Sequence, residues 1–204
     1  MPTAKRDTKL TKSIGEHHVC AELARHGWAA ALTRDGLART DILAVRADDE
    51  ERRTLVELQV KTTVHDGKKI SWLLGEKSQQ RAVAPREWFV LVASPRDLTA
   101  PVRSFVVPRD HIAAAAWIGH MTWLTDPDAK AGKRNAGVSQ SRISVDVFER
   151  YEGRWDLLDT ESTDDVAVLL PGWMRTNAEL ERVGLPDGHP WRERLPEWQP
   201  VASS

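Results

Sequence analysis

The chain carries one cysteine, Cys20, in 204 residues, which excludes an internal disulfide and a zinc site built from cysteines. No stretch approaches the ~20 apolar residues needed to cross a bilayer. No apolar run follows the mildly basic N-terminus, so no secretory signal is expected and the default location is cytoplasmic, without membrane contact. Gly-x-Ser-x-Gly, a glycine-rich phosphate loop and His-Glu-x-x-His are all missing, which sets aside several common hydrolase and nucleotide-binding chemistries. His17 and His18 are adjacent, diverge by about 100° on a helix, and do not share a metal. Tyrosine occurs once and phenylalanine three times, whereas tryptophan occurs nine times. The tryptophans run from Trp28 to Trp198, too dispersed for a base-stacking platform and better suited to core packing.

Net charge is −1, but it is unevenly spread. Residues 1–145 hold 23 Lys and Arg against 17 Asp and Glu, and residues 146–204 hold 6 against 13. A basic body with an acidic tail fits phosphate contact by the body, and equally fits two segments that attract each other.

Hydrophobic patterning predicts four regions. Residues 1–12, with Lys5, Arg6, Lys9 and Lys12, read as a flexible basic arm. Residues 13–125 read as an α/β core: a helix from Ser13 to His26, strands at Trp28–Thr33, Asp41–Ala47, Arg53–Thr63 and Ile70–Leu74, and a short helix at Glu76–Val83. Strands at Trp88–Ala93 and Arg103–Val107 and an alanine-rich helix after Pro108 complete it. Residues 126–145 read as a mobile basic loop, with Lys130, Lys133 and Arg134. Residues 146–204 read as an acidic, Trp- and Pro-rich extension packed on the core, its Phe148, Tyr151 and Trp155 on an amphipathic helix.

The segment Val56-Glu57-Leu58-Gln59-Val60-Lys61 carries the chemistry. Strand side chains alternate, so Val56, Leu58 and Val60 face one way while Glu57, Gln59 and Lys61 face the other. The strand after Asp41 is apolar on both faces, which predicts a sheet covered on both sides and a pocket beside the polar row. Asp41 also suits the end of a turn.

Asp41 followed eighteen positions later by Gln59-x-Lys61 resembles the PD-(D/E)xK nuclease superfamily. There an Asp begins one hairpin strand and (Asp/Glu)-x-Lys lies on the next. The likeness is greatest to small bacterial members and to archaeal Holliday junction resolvase-like cores, and spans residues 12–125. Thr40 stands at the usual proline position, and Gln59 replaces the acidic residue. The resemblance implies a restriction-endonuclease-like fold and hydrolysis of DNA with Mg²⁺ or Mn²⁺, RNA being left open as a substrate. It implies Asp41, Gln59 and Glu16 as metal ligands and Lys61 as the cation beside the attacking water and the phosphate. Many enzymes of this type cut as dimers, so a homodimer is among the implied partners.

Two residues keep two readings. Ser13-Ile14-Gly15-Glu16 has capping-box spacing, which would occupy Glu16 at a helix start; yet Glu16 lies within about 60° of Val19, Cys20 and Leu23 on the helix, where a carboxylate needs a partner. Glu57 would either add the charge that Gln59 lacks or pair with an arginine such as Arg39. Lys12, Arg34, Arg39, Lys133 and Arg134 are the candidate phosphate contacts. The competing function is a catalytically weak or inactive nuclease-like domain that binds nucleic acid or a protein partner.

Overall fold

The computed structural model describes residues 8–33, 37–47, 51–130, 132–163 and 166–199. Helix α1 spans Thr8–Arg25 and stops in a Schellman motif. Trp28 N–H reaches back to Leu23 O at 2.9 Å and Gly27 N–H to Ala24 O at 3.1 Å. Gly27, at φ 80°, supplies the left-handed turn, and the ends of the motif, Leu23 and Trp28, are both buried. The helix begins before Ser13. Residues 8–12 are therefore helical rather than a flexible arm, and Ser13 is an interior residue rather than an N-cap. No proline, glycine or turn sequence breaks Thr8–Lys12, so the helix extends along solvent. Residues 1–7, with Lys5 and Arg6, lie outside the described residues.

Five strands form the central sheet: β1 (Ala29–Leu32), β2 (Ile42–Ala47), β3 (Arg53–His65), β5 (Glu87–Pro95) and β6 (Arg103–Pro108), after which the sheet is ordered β1-β2-β3-β5-β6. A short strand β4 (Ser71–Leu73) leaves this order and pairs antiparallel with β7 (Arg142–Ser144). Within the main sheet β3 and β5 are parallel and the other neighbours antiparallel. The chain is thus α/β, with a mixed sheet flanked by helices. β5 is buried from Glu87 to Ser94, which is why its sequence is an unbroken apolar run after its first residue.

Helix α1 covers the face bearing Val60 and Thr62: Gly15 abuts both side chains, and His18 Nε2 lies 2.9 Å from Ser104 Oγ on the same face. Helix α2 (Arg109–Leu124) covers the opposite face, starting where Arg109 stacks over the Phe89 ring at 4.9 Å. Pro108 stands at its N-cap position, and Ala113–Ala116 are wholly buried.

Among the described residues the C-terminal third adds no strand to the main sheet, yet it belongs to the same core. Phe148, Tyr151, Leu158, Leu170 and Met174 join the buried cluster, and Trp72 packs edge-on against Phe105 and Phe148. The expected amphipathic helix is instead two 3₁₀ segments, Val145–Tyr151 and Trp155–Asp159. A short helix α3 follows at Gly172–Ala178, burying Met174 and leaving Trp173 at 44% exposure. The 126–145 segment is more than a loop, since it contains β7. Trp28, Trp72, Trp88, Trp155 and Trp198 are all buried. Among the described residues no helix is long and apolar enough to cross a membrane.

Candidate functional site

Asp41 sits one residue before β2, where that strand separates from β3. Its N–H donates to Leu58 O at 2.9 Å, and its Oδ2 accepts the Val60 N–H at 2.9 Å. The carboxylate is thereby pinned between Gln59 and Lys61. All three residues line one cleft of about 600 Å³. The side-chain alternation read from the sequence holds, and Val56, Leu58 and Val60 turn into the core.

Helix α1 brings two more charges. Lys12 Nζ lies 3.3 Å from Glu16 Oε1 and 3.4 Å from Asp41 Oδ1, so the two carboxylates bracket one cation. Glu16 thus lies beside Asp41 across Lys12 and is not a capping residue. The close approach depends on Gly15, whose missing Cβ leaves room for Thr62. Burial pushes the Glu16 carboxyl above its usual range; Lys12 opposes that shift and Asp41 adds to it. Burial pulls the Lys12 amine down, but Asp41 and Glu16 outweigh it and leave the amine raised. Lys61 goes the other way: burial lowers its pKa, Asp41 opposes this, and Arg109, Lys12 and Lys77 lower it further. The site therefore holds one firmly charged lysine and one made readier to lose its proton.

Behind Gln59 lies a buried ionic layer. Arg109 is 1% exposed, and its Nε donates to Glu87 Oε2 at 2.7 Å. Its Nη1 and Nη2 both donate to Gln59 Oε1 at 3.3 Å. Glu87 Oε2 also accepts from Arg39 Nη2 at 3.0 Å, and Glu87 Oε1 accepts the N–H groups of Val83 and Ala84. Burial and the neighbouring Arg39 push the Arg109 guanidinium down to about 10, against the pull of Glu87. Glu57 Oε2 accepts the Thr40 hydroxyl at 2.8 Å, and Arg39 pairs with Glu87 rather than with Glu57.

The candidate phosphate contacts fare unequally. Lys12 lines the cleft. Arg39 is committed to Glu87 and Arg81 O, on a backbone at φ 77° that few non-glycine residues adopt. Arg134 donates to Asp126 Oδ2 and Trp123 O and lies 5.6 Å over the Trp123 ring, so it anchors its own segment. Lys133 is exposed. Arg34 lies outside the described residues.

Sequence reasoning did not find Arg109, Glu87 or Arg142. Arg142, on β7, lines the cleft beside Ser71, whose hydroxyl it meets at 3.3 Å. Its pairing partner β4 lies some seventy residues earlier, and nothing local in the sequence brings it to Asp41. The one local signal for Glu87 is a carboxylate heading an otherwise apolar strand. Among the described residues no three His, Cys, Asp or Glu side chains converge as a metal cluster; Glu16 and Asp41 are joined through Lys12. No family model matches the chain, and no curated protein or solved structure matches it significantly.

Proposed function

We propose that the chain is a divalent-metal-dependent endonuclease that hydrolyses DNA phosphodiesters on a restriction-endonuclease-like fold. The observation that carries this reading is that Asp41 lines one cleft with Lys61 and shares with Glu16 a single cation position, held by Lys12. The donor set fits Mg²⁺ or Mn²⁺, because such ions are commonly held by one or two carboxylates and keep several waters. Glu16 and Asp41 are the residues that would hold the ion. When bound, the ion would polarise the phosphate and make an attacking water more acidic.

The protein's own groups supply the rest. Asp41 is held in place by the Val60 N–H on Oδ2, so its other oxygen, which faces Lys12, keeps a fixed direction. Lys61, on the same strand, offsets the charge that gathers on the phosphate oxygens during attack. Its lowered pKa also suits it to exchange a proton near the nucleophile. Lys12 has to leave the position between the acids before an ion enters. Lys12 and Arg142 then lie along the cleft as contacts for flanking phosphates.

The presence of Lys12 between the acids favours a second reading, a domain that binds nucleic acid without cutting it, its acidic pair neutralised internally. Supercoiled plasmid incubated with the protein and Mg²⁺ or Mn²⁺ separates the two. The nuclease nicks or linearises it, and Asp41→Asn and Lys61→Ala lose cleavage while retaining DNA binding, which rests on backbone contacts elsewhere. Salt-sensitive binding with no cleavage by the wild type leaves only the second reading.

A further inference from the structure

We propose that Gln59 serves the substrate and not the metal, presenting its amide N–H groups to the scissile phosphate; this rests on the nuclease reading and deepens it. Arg109 sets the orientation. Its Nη1 and Nη2 both point at Gln59 Oε1, each at 3.3 Å. A guanidinium has donors only, so the amide must turn its oxygen toward Arg109, and the reversed amide would set donor against donor.

Arg109 cannot yield this position easily. It is almost wholly buried, its Nε is bonded to Glu87, and its guanidinium lies over the Phe89 ring. Glu87 is itself held by Arg39 and by two backbone N–H groups. The carbonyl oxygen that a cation would need is thus committed to the interior. With the oxygen committed, Nε2 is the end of the amide left to serve the cleft that Gln59 lines together with Asp41 and Lys61. Glu16 Oε1 and Asp41 Oδ1, by contrast, converge on Lys12 Nζ with no guanidinium between them. A group offering two N–H donors beside a lysine is complementary to the non-bridging oxygens of a phosphodiester. A carboxylate in place of Gln59 would pair with Arg109 and repel that phosphate. Gln59 then acts as a catalytic residue by touching substrate, and Arg109 and Glu87 are positioning residues acting through it.

The test uses the full chain, titrated calorimetrically with Mn²⁺ and assayed for plasmid cleavage, as wild type, Gln59→Met, Gln59→Glu and Asp41→Asn. The expected result is a Gln59→Met protein whose Mn²⁺ affinity stays within about twofold of wild type, since no ligand is removed. Its cleavage falls by roughly 10- to 100-fold, the loss of one hydrogen bond to a charged group. Asp41→Asn loses Mn²⁺ binding in the same titration. Gln59→Glu keeps an acceptor for Arg109 and guards against misfolding of the methionine variant; it too keeps near-normal Mn²⁺ affinity and loses cleavage. If Gln59→Met loses Mn²⁺ affinity alongside Asp41→Asn, or Gln59→Glu tightens it markedly and still cleaves, the oxygen is a ligand and the proposal is overturned with the nuclease reading intact. A wild type that neither binds Mn²⁺ nor cleaves overturns the nuclease reading and this proposal with it. Arg109→Lys should slow wild-type cleavage but add no further loss to Gln59→Met; additive losses would make Arg109 merely structural.

Discussion

A Cβ on Gly15 would lie 1.8 Å from Thr62 Oγ1, with Val60 Cγ1 also within 3.2 Å. Helix α1 therefore rests its backbone directly on β3, and Glu16 is delivered to Asp41 by that contact. Gly15→Ala should force the helix outward and destabilise the protein by about 1–3 kcal/mol, the usual range for overpacking. Mn²⁺ affinity should fall with it, because the two carboxylates separate. Thr62→Ala removes the nearer obstruction and should restore part of both. Thermal melts of the two single variants and the double variant check this, and simple additivity would mean that the contact does not set the helix position.

Lys12 neutralises the acid pair from a half-exposed position. Lys12→Met removes an ion pair that an entering cation must displace. Mn²⁺ should then bind more tightly by roughly threefold to tenfold, the scale of one or two exposed ion pairs. Calorimetric titration decides, and unchanged or weaker binding would show that Lys12 does not occupy the cation position.

Arg142 and Lys12 together make the cleft basic at its mouth. Arg142→Ala should weaken DNA binding and reduce the slope of log affinity against log salt by about one, as expected for the loss of one phosphate contact. Binding measured across a salt series reads the slope directly; a weaker complex with an unchanged slope would point to a role in packing instead.

Away from the cleft, His111 makes stability depend on pH. Leu169 N–H donates to Tyr151 Oη at 2.9 Å, and the tyrosine hydroxyl lies 2.8 Å from His111 Nδ1. Burial, with His189 adding to it, lowers the His111 pKa from 6.5 to about 3, and burial lowers that of His189 as well. Above pH 6.5 the folded and unfolded chains agree in protonation. Below it the unfolded chain takes up a proton that the folded chain refuses, and stability is lost as the pH falls toward 3. At pH 4.5 His111 alone accounts for about 2–3 kcal/mol. Denaturant melts at pH 7 and pH 4.5 should show that loss in the wild type and a much smaller one in His111→Gln. Equal slopes in the two proteins would move the effect to another group.

The acidic third of the chain is expected to be inseparable from the rest. Truncation after Arg142 uncovers the surfaces beneath Phe148, Tyr151 and Leu158 and should yield an aggregating protein. A soluble, monomeric fragment as stable as the whole chain would contradict the shared core.

The sheet and the cleft were largely legible because their signals are local. Alternation along Val56–Lys61 reports which side chains face together, and Asp41 announces itself by heading an apolar strand. The start of α1 was not legible: Ser13 to Glu16 has the spacing of a cap, but nothing within Thr8–Lys12 stops the helix, and the tertiary contact at Gly15 decides where it lies. The role of Gln59 was illegible for a different reason. Its orientation is fixed by Arg109, fifty residues on, and the first residue of an alanine-rich helix gives no sign of what its side chain reaches. The lysines and arginines show the same limit, since a basic residue in sequence does not declare whether a carboxylate already holds it.

The Glu87–Arg109 pair has a consequence for how the chain can change. Removing two charges from water to bury them is costly, and well-packed apolar pairs often hold a fold together as firmly or more so. An apolar residue at both positions would spare that cost but strand Arg39 and the Val83 and Ala84 N–H groups, and the Gln59 amide, released from its donor, would turn freely between two orientations. The pair thus ties the direction of one amide at the cleft to the same contacts that close the sheet beneath it.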